Sequence, residues 1–149
     1  MPYRTAVNIE DLRAIAKRRL PRFVFDYVDG GSEDEISLRG NCAAFRRLRF
    51  RPRALIDVSA RDLSTRLLGA RSALPAVVGP TGLNGLCWRD GDMELARAAS
   101  AAGLPFAMST VSMSLVEDIA REAPGRLWLQ AYVFAERRIT EAIVARART

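Results

Sequence analysis

Hydrophobic and polar positions fall into two regimes along this chain. From Pro75 onward, short apolar runs alternate with segments whose apolar residues recur every three to four positions. That alternation predicts a strand over 75–79, a helix from about Gly91 to Ala102, and a strand over 106–109. A helix capped by Ser114 and Glu117, a strand over 127–133 and a last helix over 136–148 complete it, the last burying Ile139, Ala142, Ile143 and Ala147. Breaks fall at Gly103-Leu104-Pro105 and Pro124-Gly125, where glycine and proline end regular structure. Upstream the period is helical. Asn8 and Asp11 cap a first helix carrying Ile9, Leu12, Ile15 and Ala16, and Leu20-Pro21 stops it. Pro21 opens a second helix with Phe23, Val24, Tyr27 and Val28 on one stripe, closed by Gly30-Gly31. Ser32 and Glu35 form a capping box for a third, reaching about Arg47. Two short extended pieces, 48–51 and 63–68, follow, with 69–73 as the link into the strand at Pro75.

Three strand–helix units in series require parallel strands joined by right-handed crossovers. The strands are nearly continuous apolar runs, as strands covered on both faces must be. The class is therefore α/β, either a doubly wound open sheet or part of an eight-stranded (β/α)8 barrel. A whole barrel takes about 250 residues, so 149 residues hold about three of its eight units. The organisation read from the pattern is a helical cover with two short strands over 1–74, then three βα units over 75–149.

In both architectures ligands sit at the carboxyl ends of the strands. The residues there are Pro80, Thr81 and Gly82, then Ser109 and Thr110, with Gln130 and Tyr132 two apart on one face of the third strand. A Gln and a Tyr directed together into an interior of Val, Leu and Phe need polar partners. Bonds to each other or to nearby backbone would meet that need as well as a ligand would. Turn and capping chemistry accounts equally for Thr81, Ser109 and Thr110 taken singly, and core packing accounts for Tyr27. Gly79-x-x-Gly82-x-x-Gly85 is not a dinucleotide fingerprint, because the spacing is wrong and Pro80 interrupts it.

Composition narrows the chemistry. There is no histidine, which removes the commonest general base and metal ligand, and no metal site is expected. Cys42 and Cys87 are far apart, without metal-type spacing, and read as ordinary thiols. The net charge of +6 is carried by arginines scattered between acidic residues, with Lys17 the sole lysine and no aromatic–basic interleaving. That describes a solvated surface and not a nucleic-acid partner. The uncharged stretch 72–88 is broken by Pro75, Pro80 and glycines, so it predicts no membrane-spanning helix. The start leads into a polar helical pattern with no apolar signal core, and a cytoplasmic location is expected.

Taken together the motifs resemble the amino-terminal part of the FMN-dependent 2-hydroxy-acid dehydrogenase and oxidase family, which includes glycolate oxidase, L-lactate dehydrogenase and mandelate dehydrogenase. The carrying residues are Ala14-Ile15-Ala16 through Leu20-Pro21, Phe25-Asp26-Tyr27-Val28-Asp29-Gly30-Gly31-Ser32-Glu33-Asp34, and Phe50-Arg51-Pro52-Arg53 with Leu55-Ile56-Asp57-Val58. Gly79-Pro80-Thr81-Gly82, Ala96-Arg97-Ala98-Ala99, Ser109-Thr110 and Gln130-Ala131-Tyr132-Val133 complete the series. Pro-Thr-Gly-Leu-Asn-Gly and the Gly30-Gly31 pair look most like the mandelate dehydrogenase branch.

The resemblance implies a partial TIM barrel with FMN at its carboxyl-end face, acting on a small L-2-hydroxy acid. It implies that Tyr27 and Tyr132 hold the substrate's carboxylate and hydroxyl, Tyr132 orienting it for catalysis. The backbone of Pro80, Thr81 and Gly82 would lie beside the flavin's reactive edge, with Ser109 and Gln130 on its pyrimidine edge. The family's base is a histidine, which this chain lacks, and its flavin-side lysine, carboxylate-clamping arginine and phosphate-binding strands belong to the carboxyl-terminal half. The polypeptide alone is thus expected to be catalytically dead or nearly so. Two exposed strand edges and an uncovered apolar face also predict that such a piece is unstable, aggregates, or associates, with a second polypeptide completing the barrel or as a homo-oligomer. A non-catalytic half-barrel subunit or flavin-binding module is the alternative. Some relatives attach peripherally to the inner membrane.

Overall fold

A computed structural model describes residues 2–148, which divide into two compact units, one up to Ser59 and the other from Ala60 onward. The first is helical: α1 (Ile9–Arg19), α2 (Arg22–Asp29) and α3 (Ile36–Arg47). Asn8 caps α1, its side-chain oxygen accepting the Asp11 N–H at 2.8 Å, and the chain turns extended at Leu20 ahead of the proline. Arg13 forks onto Asp29 at 2.5 and 2.9 Å, joining α1 to α2 and holding the Asp29 carboxyl below its usual range. Of the apolar stripe expected on α2 only Val24 is buried. Phe25 is its buried companion, with the Lys17 ammonium over its ring, and Phe23, Tyr27 and Val28 are exposed.

The capping box at α3 does not form. Glu35 itself occupies the cap in left-handed backbone, φ 56°, and its carboxylate accepts the Gly31 N–H at 3.1 Å. Residues 48–51 form no strand, because Arg49 folds back and donates to the carbonyls of Arg46 and Leu48, closing the end of α3.

The second unit opens with an antiparallel hairpin, β1 (Thr65–Leu67) and β2 (Ala70–Ser72). Leu68 and Gly69, both at positive φ (44° and 81°), make its two-residue turn, so the stretch expected as a link pairs as a strand. Arg126 donates to the carbonyls of Leu67 and Ala70 and ties the hairpin to the start of β4 (Leu127–Leu129).

The core is built on β3 (Phe106–Met108), every residue of which is buried. It pairs in parallel with β4 (Leu127–Leu129) on one side and, through a bridge at Val78, with the first predicted strand on the other. That strand is reduced to the bridge because Pro75 has no donor and Gly79-Pro80 leave the ladder. α5 (Gly91–Ala101) and α6 (Val116–Glu122) cover the sheet, packing Met93, Ala96, Ala99, Ile119 and Ala123 against Phe106 and Met108. Three parallel segments in chain order, joined by helices, have the succession expected of a segment of a TIM barrel, and among the described residues the sheet does not close.

α6 starts one residue beyond Leu115 and takes no cap from Ser114. Glu117 is instead bonded through both oxygens to Arg146 of α7 (Arg137–Arg146), each contact 2.8 Å. α7 buries none of its residues, contrary to its apolar pattern.

The Arg146 guanidinium holds the Glu117 carboxyl down at about 2. A depressed carboxyl contributes stability above its ordinary pKa of about 4.5 and loses it as pH falls toward 2. At low salt Glu117→Gln should therefore lower Tm by about 1–3 °C near neutral pH, and the difference should shrink below about pH 4.5 and close as pH reaches about 2. Melting curves across that range check it, and a difference that persists at the acid end would assign the effect to packing.

Candidate functional site

The carboxyl ends of the three parallel segments lie side by side, and polar groups converge where they exit. Ser109, the first residue after β3, is buried (5% exposed), and its hydroxyl donates to Gln130 Oε1 at 3.4 Å while accepting the Val111 N–H at 3.2 Å. Gln130 follows β4 directly. Its backbone N–H reaches the Met108 carbonyl at 2.8 Å, and its Oε1 also accepts the Thr110 N–H at 3.3 Å. Thr110 donates its hydroxyl to the Gln130 carbonyl and accepts the Tyr132 N–H at 3.1 Å. Two strand exits are thereby fastened together, and among the described residues the Gln130 side-chain NH2 makes no hydrogen bond. One polar group there retains donors for a ligand.

The loop after Val78 runs alongside. Leu83 N–H donates to the Val111 carbonyl at 3.2 Å, and Gly82 lies so close to that loop that a Cβ would meet Val111 Cγ2 at 2.4 Å. Only glycine permits this approach. A Cβ on Gly79 would meet nothing within 4 Å, and Pro80 and Thr81 are exposed. Leu83 itself is held at φ 56°, a conformation bulky residues rarely adopt.

A network missed from the sequence braces both loops from beneath. Asp92, in the first turn of α5, is 1% exposed. Its carboxylate accepts from Asn84 Nδ2 at 2.7 Å, Ser112 Oγ at 2.6 Å and Met113 N–H at 3.0 Å, while Asn84 Nδ2 also donates to the Thr81 carbonyl at 2.9 Å. Asn84 belongs to a one-turn helix, α4 (Asn84–Cys87), that the glycine-rich composition concealed. An acidic residue in a first helical turn ordinarily reads as a dipole partner, so Asp92 carried no distinguishing signal.

Among the predicted site residues, Pro80, Thr81, Gly82, Ser109 and Gln130 are thus gathered on one end of the second unit. Tyr132 is there by its backbone. However, β4 ends at Leu129, so Gln130 and Tyr132 stand in the exit loop and not on a strand face; Tyr132 is 52% exposed. Tyr27 lies on α2 of the first unit, 66% exposed. Cys42 and Cys87 are free thiols. No helix among the described residues is long and apolar enough to cross a membrane.

Comparison with known proteins gives three findings. A family model described as FMN-dependent dehydrogenase matches residues 16–149. (S)-mandelate dehydrogenase of Pseudomonas putida is 47% identical over 140 residues, 94% of this chain and 35% of that protein; glycolate oxidase 5 of Oryza sativa subsp. japonica is 42% identical, covering 94% and 38%. A crystal structure of the monotopic membrane protein (S)-mandelate dehydrogenase superposes with a TM-score of 0.89 at 46% identity, covering 97% of this chain and 38% of that one. The chain spans little more than a third of the length of these relatives and corresponds to their amino-terminal part.

Proposed function

This chain belongs to the FMN-dependent dehydrogenase family, and from that membership we propose that it supplies the flavin- and substrate-contacting portion of an enzyme oxidising small L-2-hydroxy acids to 2-oxo acids. The observation that carries the reading is the convergence of Ser109, Thr110 and Gln130 beside the open backbone of 79–81, with the Gln130 amide donors uncommitted among the described residues. These residues fit FMN. A flat ring needs small side chains and accessible backbone on one side, which Gly79, Pro80, Thr81 and Gly82 provide. Its pyrimidine edge needs donors and acceptors, which Gln130 and Ser109 provide. When bound, FMN supplies the acceptor for the hydride equivalent that leaves the substrate carbon. The phenol of Tyr132 is assigned to the substrate's hydroxyl, as a hydrogen-bond donor.

The hydroxyl proton needs a base, and the 149 residues contain no histidine. We therefore assign this polypeptide flavin binding without turnover by itself. The exposure of Leu68 and Val133 favours a second reading, association with another polypeptide or copy that covers them. A cytoplasmic protein, peripheral on the inner membrane when whole, fits both readings.

Expression with FMN, followed by absorption spectroscopy and dye-linked assays with (S)-mandelate, L-lactate and glycolate, tests the proposal. A flavin-retaining chain turning over at least about a thousandfold more slowly than a complete relative is expected. A folded chain with no affinity for FMN would sink the flavin reading; turnover near the rate of a complete relative would sink the claim of incompleteness.

A further inference from the structure

We infer that Asp92 is a positioning residue that sets the spacing of the two flavin-side loops, an inference that rests on the flavin reading above. A carboxylate only 1% exposed must be compensated where it sits, and three donors converge on it. None comes from its own helix. Asn84 brings in the loop after Val78 and spends its second N–H on the carbonyl of Thr81. Ser112 and Met113 bring in the loop after β3. Asp92 therefore links the backbone beside the proposed ring position to the segment that follows Ser109 and Thr110, and it does so from the rigid first turn of α5. Gly91 makes room for it: a Cβ there would meet the Asn84 carbonyl oxygen at 3.0 Å and Asn84 Cβ at 3.1 Å. The Leu83 N–H to Val111 carbonyl bond spans the same two loops above. Clamped above and below, they hold the close packing of Gly82 on Val111.

The substitution that separates clamp from bulk stability is Asp92→Asn, which keeps the shape but offers one acceptor oxygen where two are used and turns an N–H toward a donor. Hydrogen exchange on the 149-residue chain without flavin should then quicken about 10- to 100-fold over 80–86 and 110–114, with 96–101 and 106–108 unchanged within about threefold. Ser112→Ala removes one donor to Asp92 together with the acceptor of the Ser114 N–H, keeps the test available if Asp92→Asn does not fold, and should loosen 110–114 while leaving 80–86 unchanged. Titration with FMN should show Asp92→Asn binding about tenfold more weakly, with a smaller induced circular dichroism of the flavin bands. Exchange that is unchanged in the loops, or raised equally throughout, overturns the clamp. Equal FMN affinity in wild type and Asp92→Asn overturns the positioning role. A wild type without FMN affinity overturns the flavin reading, and the exchange result still decides the clamp.

Discussion

Phe106→Ala is expected to cost about 3–5 kcal/mol, enough to remove most of the folding stability of the second unit. Phe106 is 4% exposed on the central strand, where it packs among residues of α5 and α6 and bridges to Val78. Truncation leaves a cavity against Ala96 and Ala99, side chains too short to fill it, while the parallel ladder on both sides resists collapse. Urea unfolding followed by far-UV circular dichroism should move its midpoint down by about 2 M for an m-value typical of this size. Phe45→Ala is the control. Phe45 is exposed on α3, and its loss should stay within about 0.5 kcal/mol. A drop below about 1 kcal/mol for Phe106→Ala would mean that β3 is not the centre of the core.

The contrast between these two phenylalanines marks how far the sequence could be read. Period and punctuation identified α1, α5 and the succession of parallel strands, because Asn8, Pro21, Gly103-Leu104-Pro105 and Pro124-Gly125 act locally on the backbone. Strand length was less legible, since it depends on a ladder partner: Val77 has the right side chain, yet pairing is confined to Val78. The hairpin was hidden for a similar reason. Leu68 at positive φ is a conformation its residue type argues against, and only tertiary anchoring by Arg126 makes it tenable. At the site, Ser109 and Gln130 stood out as polar residues ending apolar strands, and they do meet. Tyr27 was assigned through family resemblance alone, because a tyrosine on an apolar helix stripe reads as core. Asp92 escaped because its partners lie in two loops 8 and 20 residues away, a relation no local pattern encodes.

Gln130→Met should weaken FMN binding about 10- to 100-fold while leaving the chain as stable as before within about 1 kcal/mol. The two halves of this prediction have separate physical origins. The Gln130 side chain contributes little to folding, because the bonds its oxygen accepts, 3.3 Å from Thr110 N–H and 3.4 Å from the Ser109 hydroxyl, are long for their types. The strand exit is held instead by main-chain atoms that survive the substitution: the Gln130 N–H on the Met108 carbonyl at 2.8 Å, and the Gln130 carbonyl accepting from Thr110. Methionine has nearly the same length and volume, so packing changes little. It removes the oxygen that takes those two long bonds and, with it, the amide NH2, which is uncommitted within the described structure and assigned here to the flavin's pyrimidine edge. A ligand carbonyl deprived of that donor in a half-buried position loses about 1–3 kcal/mol, which gives the stated fold-change. Flavin fluorescence titration beside thermal melting reads both quantities on one sample. An unchanged affinity would move the pyrimidine contact away from Gln130, whereas a large fall in Tm would show that its side chain braces β3 against β4.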